Sequence, residues 1–257
     1  VTVLRAAWRL FRIGVATALA CLVLLPTLVL LPKTSRARRN IRRGVYRRWG
    51  RALIESLGGR IEIVGELPRE TSLFVTNHLS YLDIPLISAL VDGVFVAKAE
   101  IRGWPLMGWV ARIGGTLFVD RASRRDTVRV GREMAEWIDR GYSVVFFPEG
   151  TSYDGTEVGA FRSPLLAAAA SKSLPVLAGG LAYHAPPDAP PARLSICWWG
   201  DAPLLPHVKT LLTLDHFHAT LVLAPEPIAD DDRKRLAEKL RDQVVALADA
   251  AKTRHAH

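Results

Sequence analysis

The sequence predicts an α/β fold, a central sheet flanked by helices, preceded by an N-terminal helical membrane anchor. Three observations carry this expectation. Residues Ile13 to Pro32 form an uncharged, mostly apolar run of twenty, about the length a helix needs to cross a ~30 Å hydrocarbon layer. From residue 61 onward, short β-forming runs alternate with stretches of helical period, as in a sheet covered by helices. The length of 257 residues suits one good-sized domain with a small attachment. The expected division is residues 1–58 as anchor and basic interfacial helix, and residues 59–257 as the domain that carries the chemistry.

Charge is unevenly spread along the chain. Lys and Arg outnumber Asp and Glu by 34 to 25, a formal net charge of +9, which attracts anions such as phospholipid head groups, nucleic acid or phosphorylated substrates. The segment Lys33 to Arg51 holds nine basic residues and no acidic one, so it alone equals the net charge. Arg5, Arg9 and Arg12 precede the apolar run. Basic residues on both flanks favour a cytoplasmic position for both. That predicts a re-entrant anchor in the inner, cytoplasmic membrane, with the remaining domain on the cytoplasmic face. Proline inside a helix removes a hydrogen bond and kinks the axis, so Pro26 and Pro32 suit a bent or hairpin-like insertion as well as a span. The basic segment is then expected to lie on anionic lipid, where each cation near the surface contributes about 1 kcal/mol. Its simpler reading is a solvated helix face.

An export signal also combines a basic start with an apolar run. This run is long for that purpose, and no small-x-small cleavage site follows it. Cys21 and Cys197 stand far apart, outside any C-x-x-C arrangement, which points to a reducing compartment and to neither a disulfide framework nor a cysteine zinc site.

Strands are expected at Ile61 to Val64, Leu73 to Thr76, Gly93 to Ala97, Thr116 to Val119, Ser143 to Phe147, Leu174 to Leu181, Arg193 to Trp198 and His218 to Leu223. The stretch Arg124 to Arg140 sets Val128, Met134, Trp137 and Ile138 among charges and ends at Gly141, the pattern of an amphipathic helix with a glycine stop. A last helix is expected from Asp232 to Lys252, with Leu236, Leu240, Val244, Leu247 and Ala251 along one face. Its acidic start, Asp230 to Asp232, suits the positive end of the helix dipole. The proline-rich Ala185 to Ala192 reads as a surface loop.

The segment Leu73 to Asp83 is the most informative chemically. An apolar strand there runs into Asn77, His78, Leu79, Ser80, Tyr81, Leu82 and Asp83, which puts a histidine beyond the carboxyl end of a strand, where α/β sheets usually carry functional groups. Five helical steps turn roughly 140° past a full rotation, so His78 and Asp83 meet only across a tight turn. Ser80 and Asp83 as capping residues and Pro85 near a helix start make such a turn plausible. If they meet, Asp83 accepts a hydrogen bond from one imidazole nitrogen and leaves the other to take a hydroxyl proton, a general-base dyad. Taken alone, a strand-end histidine and a capping aspartate are the commoner outcome. Two further segments, GTLFVDR from Gly115 to Arg121 and FPEGTS from Phe147 to Ser152, are singly ordinary strand-to-loop transitions.

Together, NHLSYLD with its His-x4-Asp spacing, GTLFVDR, FPEGTS and the block LPVLAGGLAY resemble, in order, the glycerolipid acyltransferase family that includes the 1-acylglycerol-3-phosphate acyltransferases. The resemblance covers roughly residues 60 to 230, and the joint occurrence is specific although each block is short. It implies a mixed central sheet with the family's N-terminal anchor. It implies that His78 deprotonates the acceptor hydroxyl of a lysolipid and that Asp83 orients the imidazole. The oxygen then attacks the thioester of acyl-CoA or acyl carrier protein directly, with no cofactor or metal. No G-x-S-x-G nucleophile elbow is present. By the same resemblance Arg121 holds an anionic head group, and Glu149, Gly150 and Thr151 shape the acceptor pocket.

One position departs from the pattern: many members carry arginine after the Gly-Thr of FPEGT, where this chain has Ser152. Serine cannot replace a bidentate guanidinium grip on phosphate. Either Arg121, Arg162 or Lys98 supplies the charge, or the acceptor has no simple terminal phosphate. The family's commonest role makes phosphatidic acid from 1-acyl-sn-glycerol-3-phosphate. That acceptor is the leading expectation; because FPEGTSYDG, FRSPLL and WWGDAPLLPHV are similar to a lyso-ornithine lipid acyltransferase branch, a lyso-ornithine lipid or another lysolipid is the alternative.

Other classes fit less well. A non-catalytic membrane-surface binding protein is the main alternative of another kind. Nucleic-acid binding should interleave basic residues with stacking aromatics, and here the basic cluster adjoins an apolar run. A lipid serine hydrolase needs a serine on an exposed, strained turn. His184, His207, His216 and His218 lack the spacing of a zinc site, and His216 and His218 read as one face of a strand. Trp198 and Trp199 suit either the bilayer interface or the core.

Overall fold

The computed structural model describes residues 2–67, 71–105 and 107–255. Two long helices open the chain, α1 (Thr2–Leu30) and α2 (Arg36–Ser56). They lead into β1 (Gly59–Val64), β2 (Leu73–Thr76), α3 (Asp83–Ser88), β3 (Gly93–Lys98), α4 (Met107–Ile113) and β4 (Leu117–Val119). The second half runs α5 (Arg124–Asp139), β5 (Ser143–Phe146), α6 (Ala167–Ala170), β6 (Val176–His184), α7 (Ala192–Ser195), α8 (Leu204–Thr213), β7 (Phe217–Leu223) and α9 (Arg233–Thr253).

The strands form one sheet in the order β1-β7-β6-β2-β5-β3-β4. The five from β6 to β4 run parallel, β7 opposes β6, and β1 runs with β7. The sheet is therefore mixed, as the motif resemblance implied. The central strands LFVT and SVVF are buried at every position, as strands covered on both faces must be. All five parallel strands end at one edge, which gathers the loops after β2, β3, β4 and β5 on the same rim.

Helix α9 closes one face with Leu236, Leu240, Val244, Ala248 and Ala251 buried, and Asp232 caps it by accepting from the Lys234 and Arg235 N–H groups at 2.8 and 2.9 Å. Its contact with β6 needs the absence of a side chain: a Cβ on Gly180 would overlap the backbone of Leu247 and Ala248. The expected strand Arg193 to Trp198 is instead the short helix α7. Pro190 and Pro191 just before it have no N–H for a strand ladder, and the turn closes on them instead: the Pro191 carbonyl accepts from the Leu194 and Ser195 N–H groups at 2.8 and 3.1 Å, and the Pro190 carbonyl from the Ser195 hydroxyl at 2.8 Å.

The anchor is a helical hairpin laid against the domain. Helix α1 passes through Pro26 unbroken, and the chain reverses at Pro32 to Ser35, where the Ser35 hydroxyl accepts from the Arg38 N–H. At the start of α1, Arg5 pairs with Asp215, and the buried Arg9 donates to the Leu212, Leu214 and Asp215 carbonyls at 3.1, 2.6 and 2.9 Å. Midway, Trp49 of α2 donates to Thr17 at 3.2 Å. By length and composition α1 could cross a membrane. Tied to the domain at its start and to α2 along its length, it cannot do so independently of the rest. Its outward side exposes Trp8, Phe11, Leu19, Leu22, Val29 and Leu30, an apolar surface that costs free energy in water.

The basic segment is divided, contrary to the expectation that all of it faces lipid. Lys33, Arg36, Arg43, Arg48 and Arg51 are exposed, but the other four basic residues turn inward. Arg38 donates to the Leu28 and Leu31 carbonyls, Arg39 to Arg140, Arg42 to Gly93 and Gly114, and Arg47 to Leu90. A guanidinium with five donors suits orphaned carbonyls at helix ends and strand starts.

Replacing Gly180 by valine should cost about 1–3 kcal/mol of stability through overpacking. The check is the urea midpoint of the detergent-solubilised protein, which should fall while the slope stays constant.

Candidate active site

The site starts where β2 ends. Asn77 is buried and pairs its side chain with the Leu181 backbone, N–H to Oδ1 at 2.7 Å and Nδ2 to the carbonyl at 2.9 Å, which fixes the strand end to β6. His78 follows. Its backbone N–H donates to Glu149 at 2.6 Å, and its carbonyl accepts from the Tyr153 N–H at 2.9 Å. The Leu79 carbonyl accepts from the Trp198 N–H at 2.8 Å, so the loop is held from two sides. The Asp83 N–H bonds the Ser80 carbonyl at 3.1 Å, closing the tight turn from which α3 begins.

That turn swings the Asp83 carboxylate back under the loop. Oδ2 receives His78 Nδ1 at 2.7 Å and the N–H groups of Leu79 and Ser80 at 2.7 and 3.1 Å, while Oδ1 receives the Tyr183 hydroxyl at 2.8 Å. Asp83 is fully buried, and four donors are what a carboxylate without water requires. Because Asp83 can only accept in this set, the hydrogen sits on Nδ1 of His78 and Nε2 keeps its lone pair. The imidazole stacks on Phe147, ring centroids 4.1 Å apart and planes 10° apart, and keeps 22% of its side chain exposed. The arrangement holds the imidazole rigidly at an accessible rim.

Glu149 lies beneath. Its two oxygens accept from the His78 and Gly159 N–H groups at 2.6 and 2.7 Å. Burial pushes its carboxyl up to about 7, and those two hydrogen bonds pull the other way. Gly150 follows with φ +80°, and the Arg121 and Arg162 guanidiniums occupy the space a side chain would need. Arg121 donates to the Gly150 carbonyl. Burial first, then the like charge of Arg162, holds its pKa below the ordinary value, with Glu100 opposing. Two guanidiniums this close suit an anion between or beside them.

Comparison with known proteins gives these features a setting. An acyltransferase family model matches residues 60–180. The chain is 36% identical over 211 residues to a lyso-ornithine lipid O-acyltransferase of Pseudomonas aeruginosa, covering 81% of this chain and 79% of that one. It is 30% identical over 200 residues to a 1-acyl-sn-glycerol-3-phosphate acyltransferase of Neisseria meningitidis, covering 77% and 78%. The crystal structure of the 1-acyl-sn-glycerophosphate acyltransferase from Thermotoga maritima has the same fold, with a TM-score of 0.75 at 22% identity over 100% of this chain and 98% of that one. The chain belongs to the glycerolipid acyltransferase family.

In this acyltransferase the residues expected to bind substrate have separate fates. His78 and Asp83 meet as anticipated, although Asp83 is the first residue of α3 rather than its cap, and the Ser80 hydroxyl is buried among groups that offer it no bond. Glu149 is almost wholly buried and accepts from two backbone N–H groups, one of them that of His78, which it braces. Ser152 donates to the Trp198 carbonyl at 2.5 Å, which ties two loops together. Thr151 and Arg162 are exposed, and Lys98 is exposed at the end of β3, in register with Val119. The histidines divide as well: His207 meets the Tyr81 hydroxyl at 3.1 Å, while His184 and His218 gather on His255. Among the described residues no group of three or more His, Cys, Asp or Glu is placed to hold a metal ion.

Sequence reasoning missed Tyr183, Phe147 and Asn77. A polar-tipped aromatic closing the apolar block LPVLAGGLAY was the available signal for Tyr183. Nothing in the spacing linked position 183 to position 83.

Glu149 sets a pH dependence. Its folded pKa of about 7 lies above the ordinary 4.5, so the folded chain binds the proton more tightly and loses stability as pH rises from about 4.5 to about 7. Glu149→Gln should flatten that slope. At neutral pH it should also lower stability by roughly 1–3 kcal/mol, because an amide N–H then faces one of the two backbone donors. Urea unfolding in detergent at pH 5 to 8 measures both effects.

Proposed function

We propose that this acyltransferase works at a membrane surface, moving a fatty acyl group from the thioester of acyl-CoA or acyl carrier protein to the free hydroxyl of a lysolipid, and that the acceptor is a lyso-ornithine lipid. The observation that carries the chemistry is the His78–Asp83 pair, with one imidazole nitrogen spent on a buried carboxylate and the ring open at the rim. His78 Nε2 takes the hydroxyl proton as the oxygen attacks the thioester carbonyl. The C–S bond then breaks, and the departing thiolate receives the proton from the imidazolium, which Asp83 stabilises throughout. No covalent acyl-enzyme forms.

Arg121 and Arg162 over Gly150 are the anion grip in this reading. Ornithine presents a carboxylate, which two guanidiniums hold as readily as they hold a phosphate. Ser152, in place of the arginine common in the family, speaks for a head group without a terminal phosphate, as does the likeness to the Pseudomonas aeruginosa relative. The same arginine pair favours a second reading, 1-acyl-sn-glycerol-3-phosphate as acceptor and phosphatidic acid as product. The exposed apolar side of α1 sits in the lipid in either case, with the catalytic domain on the cytoplasmic face of the inner membrane.

His78→Ala should abolish acyl transfer and, by taking one of the four donors from the buried Asp83, cost about 1–3 kcal/mol of stability, so turnover is measured below the variant's melting temperature; full turnover by the folded variant would exclude the dyad mechanism. Purified enzyme offered lyso-ornithine lipid, lysophosphatidic acid and lysophosphatidylcholine should prefer the first in kcat/KM. A strong preference for lysophosphatidic acid would return the acceptor to the second reading.

A further inference from the structure

A second basic site lies at the opposite end of the sheet from the dyad. Beneath the turn of the α1–α2 hairpin is a cavity of 270 Å³, where Lys33, Arg38, Arg42, Arg112 and Arg140 meet. In its lining Gly115 lies two residues before β4 and Tyr142 directly precedes β5, so it opens at the amino edge of the parallel strands, opposite the edge where His78 follows β2 and Glu149 follows β5. It is not part of the acceptor pocket.

The charge in this cavity is only partly balanced. Arg42 has Asp92 at 3.4 Å and Arg140 has Glu136 at 3.0 Å. Arg38 uses one terminal nitrogen on the carbonyls of Leu28 in α1 and of Leu31 just past its end, and Arg112, among the described residues, donates only from Nε, to the Gly108 carbonyl at 3.2 Å. Lys33 and Arg112 are exposed. Aromatic walls hold the other two cations in place, with Arg140 5.6 Å from the Trp137 ring centre and Arg42 5.0 Å from that of Tyr142. Three cations with no acidic partner among the described residues, around a defined hollow, are a charge-assisted receptor for an oxyanion.

The surroundings choose the kind of oxyanion. The hollow is smaller than a pocket for a whole ligand of drug size, enough for a head group and no more. Beside it the last turn of α1 leaves Val29 and Leu30 81% and 75% exposed. A molecule that puts phosphate in the cavity and apolar chains over this helix end satisfies both features at once. We propose that the cavity binds the phosphate of an anionic phospholipid and so holds the turn of the hairpin to the membrane surface. The proposal rests on the membrane-surface placement above, but not on the dyad or the acceptor.

The test is flotation of the purified full chain with vesicles of phosphatidylcholine alone and of phosphatidylcholine containing phosphatidylglycerol. Three proteins are compared: the wild type, Lys33→Ala/Arg112→Ala, and Arg43→Ala/Arg48→Ala, which removes the same charge from exposed positions of α2. The wild type should gain affinity from phosphatidylglycerol. The cavity variant should lose roughly thirtyfold of that gain with binding to neutral vesicles and the melting curve unchanged, and the α2 variant should lose much less. Equal loss in both variants means diffuse attraction and overturns the site, as does no gain in the wild type. A soluble arm adds inorganic phosphate in a thermal-shift assay. Protection that vanishes in Lys33→Ala/Arg112→Ala, together with an intact phosphatidylglycerol gain in that variant, would assign the hollow to a free anion and overturn the lipid proposal. Weak binding to neutral vesicles counts against the apolar placement of α1, whereas the site stands or falls on the phosphatidylglycerol increment.

Discussion

The buried carboxylate of Asp83 is the constraint around which the site is organised. An ionised side chain without water costs several kcal/mol unless its oxygens are satisfied, and here four donors satisfy them. Three come from the loop after β2, and the fourth, Tyr183, comes from β6. Strand β6 pairs with Thr76 at Gly179, so Tyr183 lies about 13 Å farther along the strand at the usual rise per residue, and the turn into α3 brings Asp83 out to meet it. The bonds that compensate the burial also choose the imidazole tautomer and point its free nitrogen at the rim. The burial of Asp83 and the placement of His78 are one network here, so its members are not independent.

The same economy joins the anchor to the domain. Helix α2 is about 30 Å long at 1.5 Å per residue, and it runs from Arg39 and Arg42 at the amino edge to β1 at the carboxyl edge. Midway, Gly50 leaves no side chain between α2 and the Pro85 and Ala89 backbone of α3, the helix that Asp83 begins. The hairpin with the exposed apolar side therefore packs on the element that starts at the buried Asp83 carboxylate. Arginines that composition assigns to the membrane surface serve as cross-links because carbonyls left open at helix ends and strand starts need donors, and a rigid guanidinium reaches two at once.

Some of this was legible before any coordinates. The β-α alternation, the apolar run, the amphipathic helices and the His-x4-Asp spacing rest on local periodicity and on a turn within six residues, which a chain displays in order. The Arg193 to Trp198 segment was misread because its apolar residues suggested a strand, whereas Pro190 and Pro191 dictated a helical turn. The motif resemblance singled out Glu149 and Ser152 as site residues, but no local pattern announced the backbone partners that the tertiary fold gives them, His78 and Gly159 for Glu149 and Trp198 for Ser152.

By itself, then, the sequence determined the class of fold, the presence of a long apolar helix and the His-x4-Asp spacing of the two residues that pair. Tertiary structure alone decided which of nine clustered cations face outward, that a tyrosine 100 positions away completes the carboxylate's shell, and that the basic hollow lies at the far edge of the sheet. The physical reason is range. Helix, strand and turn preferences act over a few residues, whereas the partner of a buried polar group is set by strand order and helix packing.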